Sequence, residues 1–331
     1  MILSRAVLLV TAIVASYVAL SALASTIVAL LWKAGWLNWT KLPARARAGR
    51  LATLRLLPAT VMALVTITFV FPLFLAMEPR HEFEEVGPAL LIVGLVGVGL
   101  VVRAVVTAAR TVAATRRIRR RFLQNATPLT LTGVSGITSY TIESTQPIVA
   151  LVGIWRPAFV AARIVVEACT ESELANMVRH ERTHFIARDN LKRLLMACVP
   201  DLLAFTPYHR AIGTAWHDAA EDAADDAVTQ SEPRARLELA QLLLKVANLA
   251  PSPSYVSATV SPFIDAHGLE RRVRRLVTDQ SEPLAKPSDH LAGAVLIGIA
   301  LLVSTLLFSS NARSIVHSAV EAVVAAGAQG R

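Results

Sequence analysis

Cysteine is almost absent: Cys169 and Cys198 are the only two in 331 residues. Two thiols without metal-site spacing exclude a disulfide framework and a cysteine-rich zinc site. Both are read as packing residues, kept reduced in a cytoplasm. Acidic residues are outnumbered, 24 Asp and Glu against 33 Lys and Arg, giving a formal charge of +9. Aromatic residues make up only 6% and are not interleaved with the basic clusters, which argues against direct nucleic-acid binding. No internal repeat or low-complexity tract stands out. Apolar residues are abundant instead: 54% of the chain, with a mean hydropathy of +0.52, too apolar for an ordinary soluble domain.

The apolar residues gather in four blocks, and each is expected to span a bilayer. They cover residues 6–32, 56–77, 86–109 and 291–308. The first follows a single Arg5 and is too long for a cleaved signal peptide's apolar region, so it is read as a retained helix. Arg103 falls inside the third block and is expected to snorkel to one surface. This gives a membrane region over 1–109, a polar domain over 110–290, a fourth span over 291–308 and a short tail over 309–331.

Charge sets the expected orientation. Lys33, Lys41, Arg45, Arg47, Arg50 and Arg55 lie between the first two spans, with no acidic residue among them. Arg110, Arg116, Arg117, Arg119, Arg120 and Arg121 follow the third. Glu78, Glu82, Glu84 and Glu85 lie between the second and third. The positive-inside bias then places both basic segments and the polar domain in the cytoplasm, with both termini outside. In that arrangement the +9 charge lies beside anionic lipid headgroups.

Within the polar domain the pattern starts β-like. Runs at 128–134, 138–143, 148–152 and 159–166 are broken by glycine, with a turn carrying Gly153, Arg156 and Pro157. Helices are expected from Thr170, over 214–228, over 234–249 and over 269–277. A loop is expected over 250–261 and a linker over 281–290. The fold class is therefore an α-helical integral membrane protein of four spans, with a mixed α+β domain inserted between the third and fourth.

Residues 180–184 read His-Glu-Arg-Thr-His. On a helix, His180 and His184 share a face one turn apart, so both imidazoles can converge on one metal ion. Glu181 stands where its carboxylate can act as general base toward water. This is the spacing of a zinc (Zn2+) hydrolase, which needs a third ligand from elsewhere. No Pro or Gly interrupts 170–189, and Thr170 with Glu173 has capping-box spacing. A surface helix that happens to carry two histidines is the bland alternative.

The third ligand is sought in the acidic stretch 214–228. Glu221 and Asp225, four apart, share a face there. Glu221 is the candidate ligand, and Asp225 the carboxylate that orients a ligand imidazole. His217 competes for the third position. Asp218, Asp222 and Asp226 are expected on other, solvated faces. Tyr208, His209 and His217 are candidates for stabilising the oxyanion. Asp189 is expected to be structural, pairing with Arg188 or capping the next helix.

Several of these segments together resemble the BlaR/MecR-type membrane zinc peptidases, metallopeptidase family 56, within the gluzincin group. They are Gly153-Ile154-Trp155-Arg156-Pro157, His180–His184 with Arg188 and Asp189, Phe205-Thr206-Pro207, Glu221-x-x-x-Asp225, and the basic helix 269–277. The resemblance implies a zinc endopeptidase at the cytoplasmic face of a bacterial inner membrane. It also implies a protein substrate such as a DNA-binding repressor, and in some members self-cleavage. Residues 309–331 leave no room for a penicillin-binding sensor, so β-lactam sensing is not expected. The competing classes are an inactive membrane signalling scaffold and a housekeeping or CAAX-type membrane zinc protease.

Overall fold

A computed structural model of the chain describes residues 5–35, 39–77, 88–131, 136–230, 232–249, 260–262 and 268–278. The expected fourth span, the tail, the linker 281–290 and most of the 250–261 loop lie outside the described residues.

Three helices among those described are long and apolar enough to cross a membrane: Leu9–Lys33, Ala44–Val70 and Leu90–Leu123. The first belongs to α1 (Arg5–Lys33). The second is α2 (Ala44–Val65), which widens into a π-helical turn over Thr66–Val70 and continues as α3 (Phe71–Met77). Pro72 lies just beyond that turn and supplies no amide to the helical ladder. The third belongs to α4 (Pro88–Leu123). Hydroxyls within these helices return to the backbone: Thr11 donates to the Val7 carbonyl and Thr66 to the Met62 carbonyl, both at 2.7 Å. That satisfies polar groups where lipid offers no partner. α1 and α4 approach closely at Gly94 and Gly97, where a Cβ would collide with the side chains of Thr11 and Val14.

Two helices extend beyond the apolar blocks. α2 starts at Ala44, so Arg45, Arg47, Arg50 and Arg55, which lie before the second apolar block, are helical. α4 runs on through the basic stretch to Leu123. Its end packs Ile118, Phe122 and Leu123 under a sheet, against Ile142, Ala150, Val152 and Val160.

That sheet has five strands in the order β1-β2-β4-β3-β5: β1 (Thr127–Pro128), β2 (Ser139–Ile142), β3 (Val149–Val152), β4 (Ala158–Ala162) and β5 (Val260–Pro262). β2 and β4 are parallel; the other pairs are antiparallel. β3 and β4 are buried along their whole length because both faces are covered. The second face carries Val149, Phe159 and Ala161 into a core with Leu174, Met177, Val178, Leu239 and Leu243.

The apolar run 159–166 reads as one strand, but it divides. After Ala162 the chain turns into α5 (Arg163–Ala168), which buries Val165. β-branched Ile164, Val165 and Val166 imitate a strand, and tertiary packing overrides their local preference. Of the helices after it, α6 (Glu171–Ala187), α9 (Pro233–Asn248) and α10 (Leu269–Val277) lie close to expectation. α8 (Pro207–Thr229) starts seven residues before the expected 214. α7 (Asp189–Cys198) and a 3-10 turn over Leu202–Phe205 have no expected bounds.

Candidate metal centre

α6 begins with a reciprocal cap. The Thr170 hydroxyl accepts the Glu173 N–H at 3.3 Å, and the Glu173 carboxylate accepts the Thr170 N–H at 2.7 Å. Its buried stripe is Leu174, Met177, Val178, His180, Glu181 and His184. The stripe that packs into the domain core therefore also carries the His-Glu-x-x-His residues inward. Opposite it, α8 buries Ala219, Ala220, Glu221, Ala224 and Asp225. The small alanines let the two helices pack closely, so the Glu221 carboxylate meets both imidazoles.

The donor atoms converge. His180 Nε2 and His184 Nε2 are 3.3 Å apart. His180 Nε2 lies 3.4 Å from Glu221 Oε2, and His184 Nε2 lies 3.5 Å from Glu221 Oε1. Three ligands of a tetrahedral zinc, each about 2.0–2.1 Å from the ion, sit about 3.3 Å from one another. These three residues form the one group of three or more potential ligands found among the described residues. Both carboxylate oxygens of Glu181, and both of Glu221, are buried without a hydrogen-bond partner. Arg272 offsets part of the Glu221 charge, but a buried Glu181 carboxylate without a partner is costly unless a cation and its water complete the site. The donor set thus fits zinc.

Each imidazole has a carboxylate at its other nitrogen. His180 Nδ1 is 3.1 Å from Asp225 Oδ1, and His184 Nδ1 is 2.8 Å from Asp189 Oδ2. Such contacts fix ring orientation and leave Nε2 facing the shared centre. Asp189 reaches His184 because Arg188 adopts a left-handed conformation, φ 55°, which ends α6 and folds the first turn of α7 back on it. The expectations of an Arg188 pair or a helix cap are corrected: Asp189 contacts His184 and accepts from Lys192 at 3.2 Å.

Of the three acids expected on solvated faces of α8, Asp226 is exposed and Asp218 half-buried, but Asp222 is buried where α10 packs over the helix. Arg272 is buried and grips Asp225, Nη2 to Oδ1 at 2.6 Å and Nε to Oδ2 at 3.0 Å. Its Nη1 lies 3.1 Å from Glu221 Oε2. Arg271 donates to Asp222 at 2.6 Å, and Arg275 to Asp226 at 2.7 Å. Arg47 of α2 also donates to Asp222. Two acidic rows of spacing four on α8 are thus matched by basic residues of α10. The sequence carries both halves of this match, but nothing local says that the helices meet.

Burial and charge set the proton affinities. Desolvation pushes the Glu181 carboxyl up to about 8. Burial also opposes ionisation of Asp225, yet Arg272 and His180 hold it down at about 2. For Glu221, burial is outweighed by His184, Arg272 and His180, which keep the carboxyl well below its ordinary range.

The other candidates fall elsewhere. His217 Nδ1 is 3.8 Å from Glu221 Oε1, at the margin of the site. His209 accepts from Arg55 Nε at 2.8 Å. At 1.5 Å per residue, Tyr208 and His209 are about 18–20 Å along α8 from Glu221, too far to serve an oxyanion there. Cys169 and Cys198 are free thiols, as expected.

A His-Glu-x-x-His helix facing a glutamate helix, carried beside a small mixed sheet on membrane-crossing helices, defines a metallopeptidase of the gluzincin type. More specifically, the chain belongs to the BlaR1 peptidase M56 family, whose model matches residues 2–276. No curated protein matches the chain.

Proposed function

We propose that the chain is a membrane-bound zinc endopeptidase that cleaves a cytoplasmic protein as a regulatory step, with a DNA-binding repressor as the substrate class. The observation that carries this reading is the convergence of His180, His184 and Glu221 at tetrahedral ligand spacing, beside the unpartnered carboxylate of Glu181. His180, His184 and Glu221 would hold zinc, which would supply Lewis acidity toward a peptide carbonyl and toward the attacking water.

The chain's own groups do the rest. Glu181 takes a proton from the attacking water and delivers it to the leaving amine. Asp225 and Asp189 orient His180 and His184. Arg272 balances the charge of Glu221 and Asp225. The basic residues of α2 and α4 support a cytoplasmic position for the metal-bearing domain in a bacterial inner membrane, with the amino terminus outside. A fourth span over 291–308 would return the chain across the bilayer.

The test joins metal analysis to proteomics. Purified full-length protein is expected to hold one zinc per chain. Glu181→Gln is expected to keep the zinc while lowering cleavage about 100- to 10,000-fold. In cells carrying Glu181→Gln, one repressor should accumulate uncut. Full cleavage by that variant would remove the general-base role. Protein without zinc and with unaltered signalling would favour a scaffold, and stabilisation of many membrane proteins would favour a housekeeping protease.

A further inference from the structure

Snorkelling would carry Arg103 to a membrane surface. It points into the protein instead: Nη2 donates to the Val199 carbonyl at 2.8 Å, and the guanidinium lies 5.4 Å over the Phe205 ring. From Pro88, where α4 starts, to Arg103 is about 22 Å along the helix, short of a hydrocarbon thickness of about 30 Å. Arg103 therefore sits several ångströms inside the apolar layer.

Arg55 repeats the pattern on α2. It lies about 33 Å along the helix from Met77, at the edge of a layer about 30 Å thick rather than within it. It is buried and pairs with Asp201, Nη1 to Oδ2 at 2.6 Å and Nη2 to Oδ1 at 3.2 Å. Val199, Asp201 and Phe205 all belong to the metal-bearing domain, between α7 and α8. A segment that supplies the partners of Arg103 inside the layer and of Arg55 at its edge must itself reach from that edge into the layer.

The rest of the segment agrees. α7 packs along α4, and the 3-10 turn packs against α1. Asn190, in the first turn of α7, donates to the carbonyls of Leu151 and Gly153 at the sheet. The helix thus descends from the sheet to Arg103. Its outer face and the turn beyond it expose Leu195, Leu202 and Phe205, the last at 68%. On α4, Val98, Val101, Val102 and Val105 around Arg103 are exposed as well, as on the lipid-facing side of a span. Apolar groups in line with a span, with polar atoms turned inward, are what hydrocarbon demands.

We propose that residues 195–205 are embedded in the leaflet beside the metal-bearing domain, with Leu195, Leu202 and Phe205 against lipid acyl chains. This goes beyond the proposed peptidase activity and does not depend on it. Embedding from Leu195 places the His184–Asp189 pair only six residues of α7, about 9 Å, from the lipid boundary.

The test is a depth measurement on full-length protein in phosphatidylcholine vesicles, with Cys169 and Cys198 replaced by Ser. Single Leu202→Cys, Phe205→Cys and Leu195→Cys variants carry an NBD label. Val102→Cys serves as the lipid-facing reference and Arg234→Cys as the aqueous one. Brominated acyl chains are expected to quench the Leu202→Cys and Phe205→Cys labels at least half as strongly as the Val102→Cys label. Aqueous iodide should quench only Arg234→Cys. Iodide quenching at 202 and 205 equal to that at 234 overturns the proposal. Protection from both quenchers also overturns it, because protein then covers the surface. Should either of those variants fail to accumulate, Leu195→Cys gives the reading independently. None of these readouts requires zinc or cleavage, so a failed peptidase assignment leaves the result interpretable.

Discussion

Arg272 holds Asp225 by a two-pronged ion pair, Nη2 to Oδ1 at 2.6 Å and Nε to Oδ2 at 3.0 Å, with both side chains buried. The same guanidinium touches Glu221. A helix 47 residues further along the chain thus neutralises two carboxylates that the two imidazoles also contact.

Removing Arg272 therefore strands charge. Arg272→Ala is expected to destabilise the protein by about 3–5 kcal/mol, because Asp225 loses its strongest partner inside the fold. Arg272→Lys should recover little, since a point charge cannot grip both oxygens. Denaturant melts of the two variants in detergent check this. A Lys variant as stable as wild type would deny the two-pronged grip any importance.

Asp225 and Asp189 hold the imidazoles from behind, so their loss should show in metal affinity before it shows in fold. Asp189→Ala and Asp225→Ala are each expected to weaken zinc binding about 10- to 100-fold. Competition against a chelator of known affinity measures it. The Asp225 variant should also lose stability, because Arg272 is left buried without its main counter-charge.

The pH dependence of the zinc-free protein follows from Glu181. Its carboxyl titrates near 4.5 in an open chain and at about 8 in the fold, raised by burial. Between those values the folded state holds a proton that the unfolded state has released. Its contribution to stability is complete below about pH 4.5 and is lost as the pH rises to about 8. Glu181→Gln has no such loss. Its melting temperature minus that of wild type should widen by about 5 °C between about pH 5 and pH 8 in chelator-treated protein. A gap that stays constant with pH would contradict the desolvated setting.

The α1–α4 contact depends on a missing side chain. Gly97→Leu puts atoms where Val14 and Val18 already stand. The overpacking is expected to cost about 1–3 kcal/mol. Gly99→Leu, two residues on with open space around its Cα, is the matched control. Thermal melts of both in one detergent should separate them.

The site is legible where its chemistry repeats along one helix. His180 with His184, and Glu221 with Asp225, are both spaced at four, so each pair shows its face in the linear chain. The apolar lengths of the three described spans and the cap at Thr170 are equally local signals. What cannot be read is where separate helices meet. Arg272 looks like one arginine among four in a basic helix, and Asp222 like one acid in a solvated row. Asp189 needs the left-handed turn at Arg188, a conformation that Gly or Asn would signal and Arg does not. The direction of Arg103 is hidden because its partner, a backbone carbonyl, leaves no mark in the sequence. The end of β4 misleads for another reason: Ile164, Val165 and Val166 favour a strand until packing decides for a helix.

Asp222 is clasped from two sides, by Arg47 of a membrane-crossing helix and by Arg271 of the helix that closes over the metal site. It is also the immediate neighbour of Glu221. Turning α2 by one residue, about 100° about its axis, would swing Arg47 off that carboxylate. The span is thus tethered by a single ion pair to the residue one peptide bond from Glu221.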